Sequence, residues 1–254
     1  MLKQVSRSFY LTLIVVPHCV RSQIGLAYLF ARAADTIADT DLIERSRRLL
    51  FLKQLKTQFA GNHLDWGDIR SIQAALVPHQ ASQGERMLLS RLEDCFRLYV
   101  QLEEGDRACI QKLMSTLVNG MEMDLAVFPG DSVEDLTALQ TMDDLDRYTY
   151  YVAGCVGEFW TEIMCAHVRS LSAWDVSEMA KIGVRFGKGL QLTNIVKDIA
   201  RDLQRGRCYL PVSLLREAGL EPKDLLKTES VRAISPILGK LIAIAGDHLD
   251  QGWL

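Results

Sequence analysis

Apolar residues recur at i, i+3, i+4 and i+7 through most windows of this 254-residue chain. No stretch alternates β-branched with polar residues, so the pattern restricts the chain to packed helices. Leu88, Leu89, Leu92, Phe96 and Tyr99 show the period clearly. The six prolines, at 17, 78, 129, 211, 222 and 236, punctuate the long periodic segments. Helices are expected over residues 20–39, 42–59, 69–78, 84–104, 106–127, 132–139, 143–167, 175–204, 211–217 and 231–252. Loops are expected around 61–67, 129–132, 171–174 and 205–210. With no internal repeat, low-complexity tract or linker, the economical organisation is a single all-α domain.

Charge and cysteine usage narrow the function classes. Lys plus Arg number 29 against 32 Asp plus Glu, a formal net charge of −3 that argues against nucleic acid as the main partner. Cys19, Cys95, Cys109, Cys155, Cys165 and Cys208 are scattered without CxxC spacing, which suits reduced, mostly buried thiols in a cytoplasmic protein. No secretory leader is visible, and the apolar run Phe9 to Val16 stops at Pro17, far short of the ~20 residues a membrane span needs. Peripheral membrane contact stays open. Arg47, Arg48, Lys53 and Lys56 fall on one expected helix and read first as a solvated face, with a lipid surface as the alternative. The segment from Gly246 to Leu254 reads as a helix cut off mid-pattern, so a truncated C-terminus is expected.

Two aspartate pairs carry the chemistry. Asp35 and Asp39 lie four residues apart in a segment of small and apolar residues, and Asp198 and Asp202 repeat the spacing. Positions i and i+4 share a helix face, separated by a rise of roughly 6 Å, so two carboxylates there repel unless a cation lies near them. Hard oxygen ligands on rigid helices suit Mg²⁺, which completes its shell with water and substrate phosphate. The plain alternative is two solvated carboxylate faces. Tyr28 and Arg32 extend the first stripe, and Gln191 and Asn194 precede Asp198 on the second. An acidic, amide-rich stripe on an apolar helix is costly to bury unless it serves a ligand. Gly183, Gly187 and Gly189 let a ligand or another helix approach the preceding turns.

Four motifs together resemble the squalene/phytoene synthases, the head-to-head prenyl transferases. They are Ser6-Arg-Ser-Phe9; Tyr28 to Asp39 with Arg32, Asp35 and Asp39; Tyr148-Thr-Tyr-Tyr-Val-Ala-Gly-Cys-Val-Gly157; and Gly189 to Asp202 followed by Arg205-Gly-Arg-Cys-Tyr-Leu-Pro211. They stand in the family's order over residues 6–211. The resemblance implies an isoprenoid synthase helical bundle around a central apolar cavity. It implies Mg²⁺ held by Asp35, Asp39, Asp198 and Asp202 against prenyl diphosphates. Ser6, Ser8, Tyr28 and Arg32 would then bind substrate, with Gln191 and Asn194 supporting the second site. Tyr148 would face the allylic cation, and Val152, Ala153, Val156 and Gly157 would line the prenyl tunnel. Helix capping is an alternative for Ser6 and Ser8, and tight core packing for the segment 148–157. The sequence departs from the family pattern at Thr40, where a further Asp is common, and at Arg201, where an acidic residue is usual.

The resemblance favours a bacterial type of squalene synthase that joins two farnesyl diphosphates through a cyclopropyl diphosphate and reduces the product with NADPH. The Val152-Ala-Gly-Cys-Val-Gly-Glu-Phe-Trp160 stretch looks more like that branch than like plant-type phytoene synthases. The alternative enzyme is a phytoene or dehydrosqualene synthase, which omits the reduction. Absence of a Gly-rich dinucleotide motif does not discriminate, because squalene synthases lack one. A non-catalytic scaffold should have lost aspartates, and a head-to-tail elongating synthase should carry DDxxD. Neither fits. Oligomeric state is not legible.

Overall fold

The computed structural model describes residues 2–61 and 64–253, apart from the side chains of Arg7 and Ser8. The chain folds into helices α1 Leu2–Val5, α2 Arg7–Val15, α3 Arg21–Asp39, α4 Arg45–Ala60, α5 Trp66–Leu76, α6 Gln83–Ser90 and α7 Leu92–Tyr99. These are followed by α8 Glu104–Val127, α9 Met142–Thr149, α10 Cys155–His167, α11 Val176–Gln204, α12 Val212–Glu217 and α13 Val231–Gly252. Two-residue strands β1 Thr137–Ala138 and β2 Arg207–Cys208 pair in parallel, Thr137 opposite Arg207 and Ala138 opposite Cys208. The chain divides into two compact units, one of Met1–Glu122 with Phe159–Val176, the other of Met123–Glu158 with Ser177–Leu254.

In the first unit, α3 turns Ile24, Phe30, Ala33, Ala34 and Ile37 fully inward. Phe30 meets Phe59 of α4 edge-on at 4.8 Å and lies 4.6 Å from Phe96 of α7, so aromatic packing fixes two helices against α3. A buried polar tie adds direction: Gln23 donates to Asp106 (2.8 Å), and His167 meets the other Asp106 oxygen at 2.6 Å. The basic stretch on α4 is not a uniform face. Arg48 is buried and donates to the Ala38 carbonyl, while Lys56 engages Asn119 and Glu122 of α8.

In the second unit, Leu145, Leu192, Ile195, Leu203, Leu215, Ile237 and Leu241 build the core. Gly157 and Gly187 are small for a packing reason. A Cβ on Gly157 would strike the Gly183 backbone, and one on Gly187 would strike that of Ala153, so α11 crosses the 153–157 segment at close range. A Cβ on Gly189 would meet Leu249 of α13 at 2.8 Å.

Several boundaries differ from expectation. Residues 132–139 are not a helix but a 3-10 turn, Val133–Asp135, running into β1. Thr137 and Leu139 donate instead to the Gly206 and Cys208 carbonyls, and that ladder holds the segment extended. The expected helix 84–104 breaks at Arg91 (φ −109°, ψ 20°) into α6 and α7. The stretch 143–167 contains a π-helical turn at Tyr150–Gly154. Pro236 lies inside α13. The segment Phe9 to Val16, read only as too short for a span, belongs largely to α2, capped by Ser6.

Candidate active site

The first aspartate pair occupies the last two turns of α3, and the second the last two turns of α11. A helix C-terminus carries a partial negative charge, so carboxylates there repel the helix as well as each other. α3 has no basic residue in its last turn, whereas α11 has Arg201.

In the first unit, Arg32, Asp35, Thr36, Asp39, Thr40, Gln80 and Glu85 line a pocket of about 240 Å³. Arg32 donates to Glu85 at 2.6 Å and lies 3.6 Å from the Asp35 carboxylate. The Thr36 hydroxyl is spent on the Arg32 carbonyl (2.9 Å), and the Thr40 hydroxyl accepts from the Leu42 amide (3.3 Å). Thr40 thus closes the end of α3 at the position where the family pattern often has an acid. The Asp35 side chain stays 49% open toward the pocket. Crowding protein nevertheless raises its pKa from the usual carboxylate range to about 6, first by desolvation and then through Asp39, with Arg32 opposing. Glu85 adds a smaller push in the same direction.

Among the described residues no three His, Cys, Asp or Glu side chains converge as a ready-made metal site. Each pair offers two carboxylates and leaves the remaining positions to water or ligand. That donor set fits Mg²⁺, which is usually held by one or two carboxylates plus substrate phosphate. The upward shift of Asp35, from desolvation first and Asp39 second, is one that a bound cation would offset.

In the second unit, Lys197 reaches both Asn194 (3.2 Å) and Asp198 (3.6 Å), and Gln191 is half-buried one turn before Asn194. The Asp202 pKa is raised, by burial first and then by Asp198, with Arg201, Arg207 and Arg205 opposing. Asp202 borders a space of about 10 Å³, roughly one water, lined also by Arg207 and Tyr209.

Tyr148 is buried at the end of α9 and stacks on Tyr209 with ring centroids 4.8 Å apart. Its hydroxyl is hydrogen-bonded to that of Tyr209, which donates onward to Asp124 at 2.6 Å. Arg207 bridges Asp124 (3.0 Å) and Asp131 (3.1 Å). Burial, then Asp124, hold the Tyr148 phenol well above its ordinary pKa, so it remains protonated near neutral pH. Arg207 and Tyr209 arrive through β2 and the turn before it, where Gly206 adopts φ +74° and no Cβ fits against the Ser132 carbonyl.

The other expected site residues divide by surroundings. Tyr28 stacks on Phe9 at 3.7 Å, and the Ser6 hydroxyl caps α2 by accepting from the Phe9 amide. The Ser8 side chain lies outside the described residues. Val152, Ala153, Val156 and Gly157 are half-buried, with Val152 packed on the core of the second unit and Gly157 against Gly183. Gln80 and Glu85 in the first unit, and Asp124, Arg207 and Tyr209 in the second, join these surroundings without a spacing pattern that singles them out. The last two lie in the Arg205 to Pro211 stretch, whose motif carries their only sequence signal. Among the described residues no helix is long and apolar enough to cross a membrane.

Known proteins supply the context. The chain is 28% identical over 255 residues to a bifunctional lycopene cyclase/phytoene synthase of Colletotrichum graminicola, an alignment covering 98% of this chain and 40% of that protein. It is 27% identical to the squalene synthase ERG9 of Saccharomyces cerevisiae, over 98% of this chain and 55% of the yeast protein. A 15-cis-phytoene synthase of Enterobacter agglomerans is 39% identical, over 43% of this chain and 34% of the relative. The chain thus spans about two fifths to one half of the length of the full-length relatives it matches. Among solved structures, the complex of TcSQS with the ligand BPH1237 superposes with a TM-score of 0.73 at 22% identity, covering 98% of this chain and 67% of the other. A liganded dehydrosqualene synthase gives 0.60 at 21% identity, over 99% and 73%. These likenesses establish the helical fold of squalene synthases, and the squalene/phytoene synthase family model matches residues 2–254. The chain therefore belongs to the squalene/phytoene synthase family of prenyltransferases.

Proposed function

We propose that this protein joins two prenyl diphosphates head to head, and that its reaction is the squalene synthase one, from two farnesyl diphosphates to squalene. The observation that carries the reading is the placement of an i, i+4 aspartate pair in the final turns of both α3 and α11. Such pairs are unfavourable alone and become favourable when a metal-chelated diphosphate neutralises them. Asp35 and Asp39 would hold Mg²⁺ in the first unit, Asp198 and Asp202 in the second. Bound there, Mg²⁺ supplies charge neutralisation for a departing diphosphate.

The chain's own residues then divide the work. Arg32 binds diphosphate oxygen once it exchanges Glu85 for the substrate. Lys197, Asn194 and Gln191 orient the oxygens of the second diphosphate. Tyr148, neutral at working pH and covered by Tyr209 on one ring face, offers its other face to an allylic cation and holds its proton rather than taking one. Val152, Ala153 and Val156 shape an apolar wall for the prenyl chain. Completion to squalene requires NADPH as reductant.

Phytoene or dehydrosqualene synthesis, without the reduction, is the second reading, favoured by the 39% identity to a 15-cis-phytoene synthase over 109 residues. Incubation of the purified protein with farnesyl diphosphate and Mg²⁺, with and without NADPH, decides between them. Squalene formed only with NADPH supports the first reading. Phytoene from geranylgeranyl diphosphate, or dehydrosqualene irrespective of NADPH, replaces it with the second. No product from either substrate overturns both and leaves a prenyl-synthase-like scaffold.

A further inference from the structure

Gln80 stands between the 3-10 turn Val77–His79 and α6, in extended backbone at φ −68° and ψ 122°. Its carbonyl accepts from the Arg86 guanidinium through Nε at 3.0 Å and through Nη2, which pins the backbone. The residue is only 6% exposed and belongs to the lining of the pocket that holds Arg32, Asp35 and Asp39. The Nε2 amide is buried and finds no hydrogen-bond partner among the described residues.

That orphaned donor stands out among its neighbours. Thr36 spends its hydroxyl proton on the Arg32 carbonyl, the Thr40 hydroxyl accepts from the Leu42 amide, and Arg32 is paired with Glu85. Buried amide donors are nearly always paired, so one left unpaired beside an open pocket marks a partner that the protein itself does not supply. The partner must bring an acceptor oxygen. It must also bring positive charge, because three carboxylates, Asp35, Asp39 and Glu85, face a single guanidinium there. A free anion would be repelled, and a bare cation offers a donor nothing to bind. A polyphosphate end chelated by a divalent cation meets both demands.

We propose that Gln80 is a further substrate-binding residue of this pocket, donating its side-chain amide to an oxygen of a metal-chelated diphosphate. The assignment rests on reading the pocket as a diphosphate site and adds to it a residue from outside the aspartate helix. Gln80 and Arg32 would then grip the diphosphate by two donors, while Asp35 and Asp39 hold its cation. Free pyrophosphate without metal should bind poorly.

The test is calorimetric titration of the protein with inorganic pyrophosphate and Mg²⁺, alongside the melting temperature of the ligand-free protein. Gln80→Met keeps the shape and removes the donor. Losing a charge-assisted hydrogen bond should weaken pyrophosphate binding roughly 10- to 100-fold. The ligand-free melting temperature should stay level or rise, since an unpaired buried amide is removed. Gln80→Asn, which keeps an amide but shortens its reach, should weaken binding in the same direction and serves if the methionine variant fails to fold. Asp39→Asn separates the two layers of the argument. Binding that depends on Asp39 but is unchanged in both Gln80 variants overturns the role of Gln80 alone, a bound water being then the amide's partner. Wild-type protein that ignores pyrophosphate with Mg²⁺ overturns the pocket reading and the role of Gln80 together.

Discussion

On α3 the aspartate pair opens into a pocket of about 240 Å³ whose one guanidinium is already engaged by Glu85, whereas on α11 the pair is ringed by Lys197, Arg201, Arg205 and Arg207 and borders room for about one water. The spacing and the position in the helix are the same, and burial raises the pKa of one aspartate in each pair, but the second pair has more cationic neighbours to oppose the rise. On α3, desolvation first and then Asp39 raise the Asp35 pKa to about 6 against Arg32 alone, so a cation from outside would relieve that pair. The α11 pair has cations of its own, and Arg201 is one of them. The contrast teaches that identical aspartate spacing can carry different charge surroundings, and under the proposed function the first pair would lean on metal and the second on phosphate oxygens presented to basic side chains.

The largest effect should come from removing either pair. Asp35→Ala and Asp198→Ala are each expected to lower kcat/KM roughly 10²- to 10³-fold, the scale of losing one preorganised electrostatic contact. Helical circular dichroism and melting temperature should stay near wild type, and gross unfolding of both variants would point to a structural role. The asymmetry itself is read from the Mg²⁺ dependence of the rate: Asp39→Asn should raise half-saturating Mg²⁺ more than Asp198→Asn does. Equal shifts would break the comparison.

Next in size is the support beneath the second pair. Tyr209→Phe removes the 2.6 Å bond to Asp124 but leaves Arg207 in place. A hydrogen bond to a charged group is worth about 1.5–3 kcal/mol, so the melting temperature should fall by roughly 3–10 °C. If Tyr209 also positions Tyr148, kcat should fall while KM for the prenyl diphosphate holds. A change in neither quantity would make the stack incidental.

The sequence made the helices and both aspartate pairs legible because each rests on a local pattern. Periodicity located α3, α11 and α13 to within a residue or two. It ran α6 into α7 because Leu88, Leu89, Leu92 and Phe96 keep one apolar stripe across the break at Arg91. It read 132–139 as helix because the ladder partner that holds β1 extended lies some 70 residues away, at Arg207 and Cys208. The site shows the same divide. Asp35, Asp39 and Arg32 share a helix, so spacing groups them, whereas Glu85 and Gln80 join them only through tertiary folding. Asp124 and Tyr209 are likewise 85 positions apart. Glycine was ambiguous until neighbours were known: Gly157 and Gly187 turn out to serve helix approach.

The smallest effect is a pH signature that only the α3 pair should show strongly. Asp35 has a folded-state pKa raised to about 6, above that of the unfolded chain, so the folded state holds its proton more tightly. Between about pH 4 and pH 6 the metal-free native state therefore binds more protons than the unfolded state, and its stability declines as pH rises through that window. The contribution is present at low pH and gone above about 6, the reverse of a salt-bridged aspartate. Because half of the Asp35 side chain is open, screening keeps the effect to roughly 1–3 °C in melting temperature. The measurement is the difference between wild type and Asp35→Asn in EDTA across that range, which cancels the titrating groups not coupled to Asp35. Glu85→Gln should lower the Asp35 pKa and move the decline to lower pH. Mg²⁺ should erase the decline by holding Asp35 ionised, its affinity rising from pH 5 to 7. A difference curve that is flat, or that slopes upward with pH, would mean Asp35 ionises as an ordinary surface carboxylate, and the contrast between the two pairs would lose its electrostatic basis.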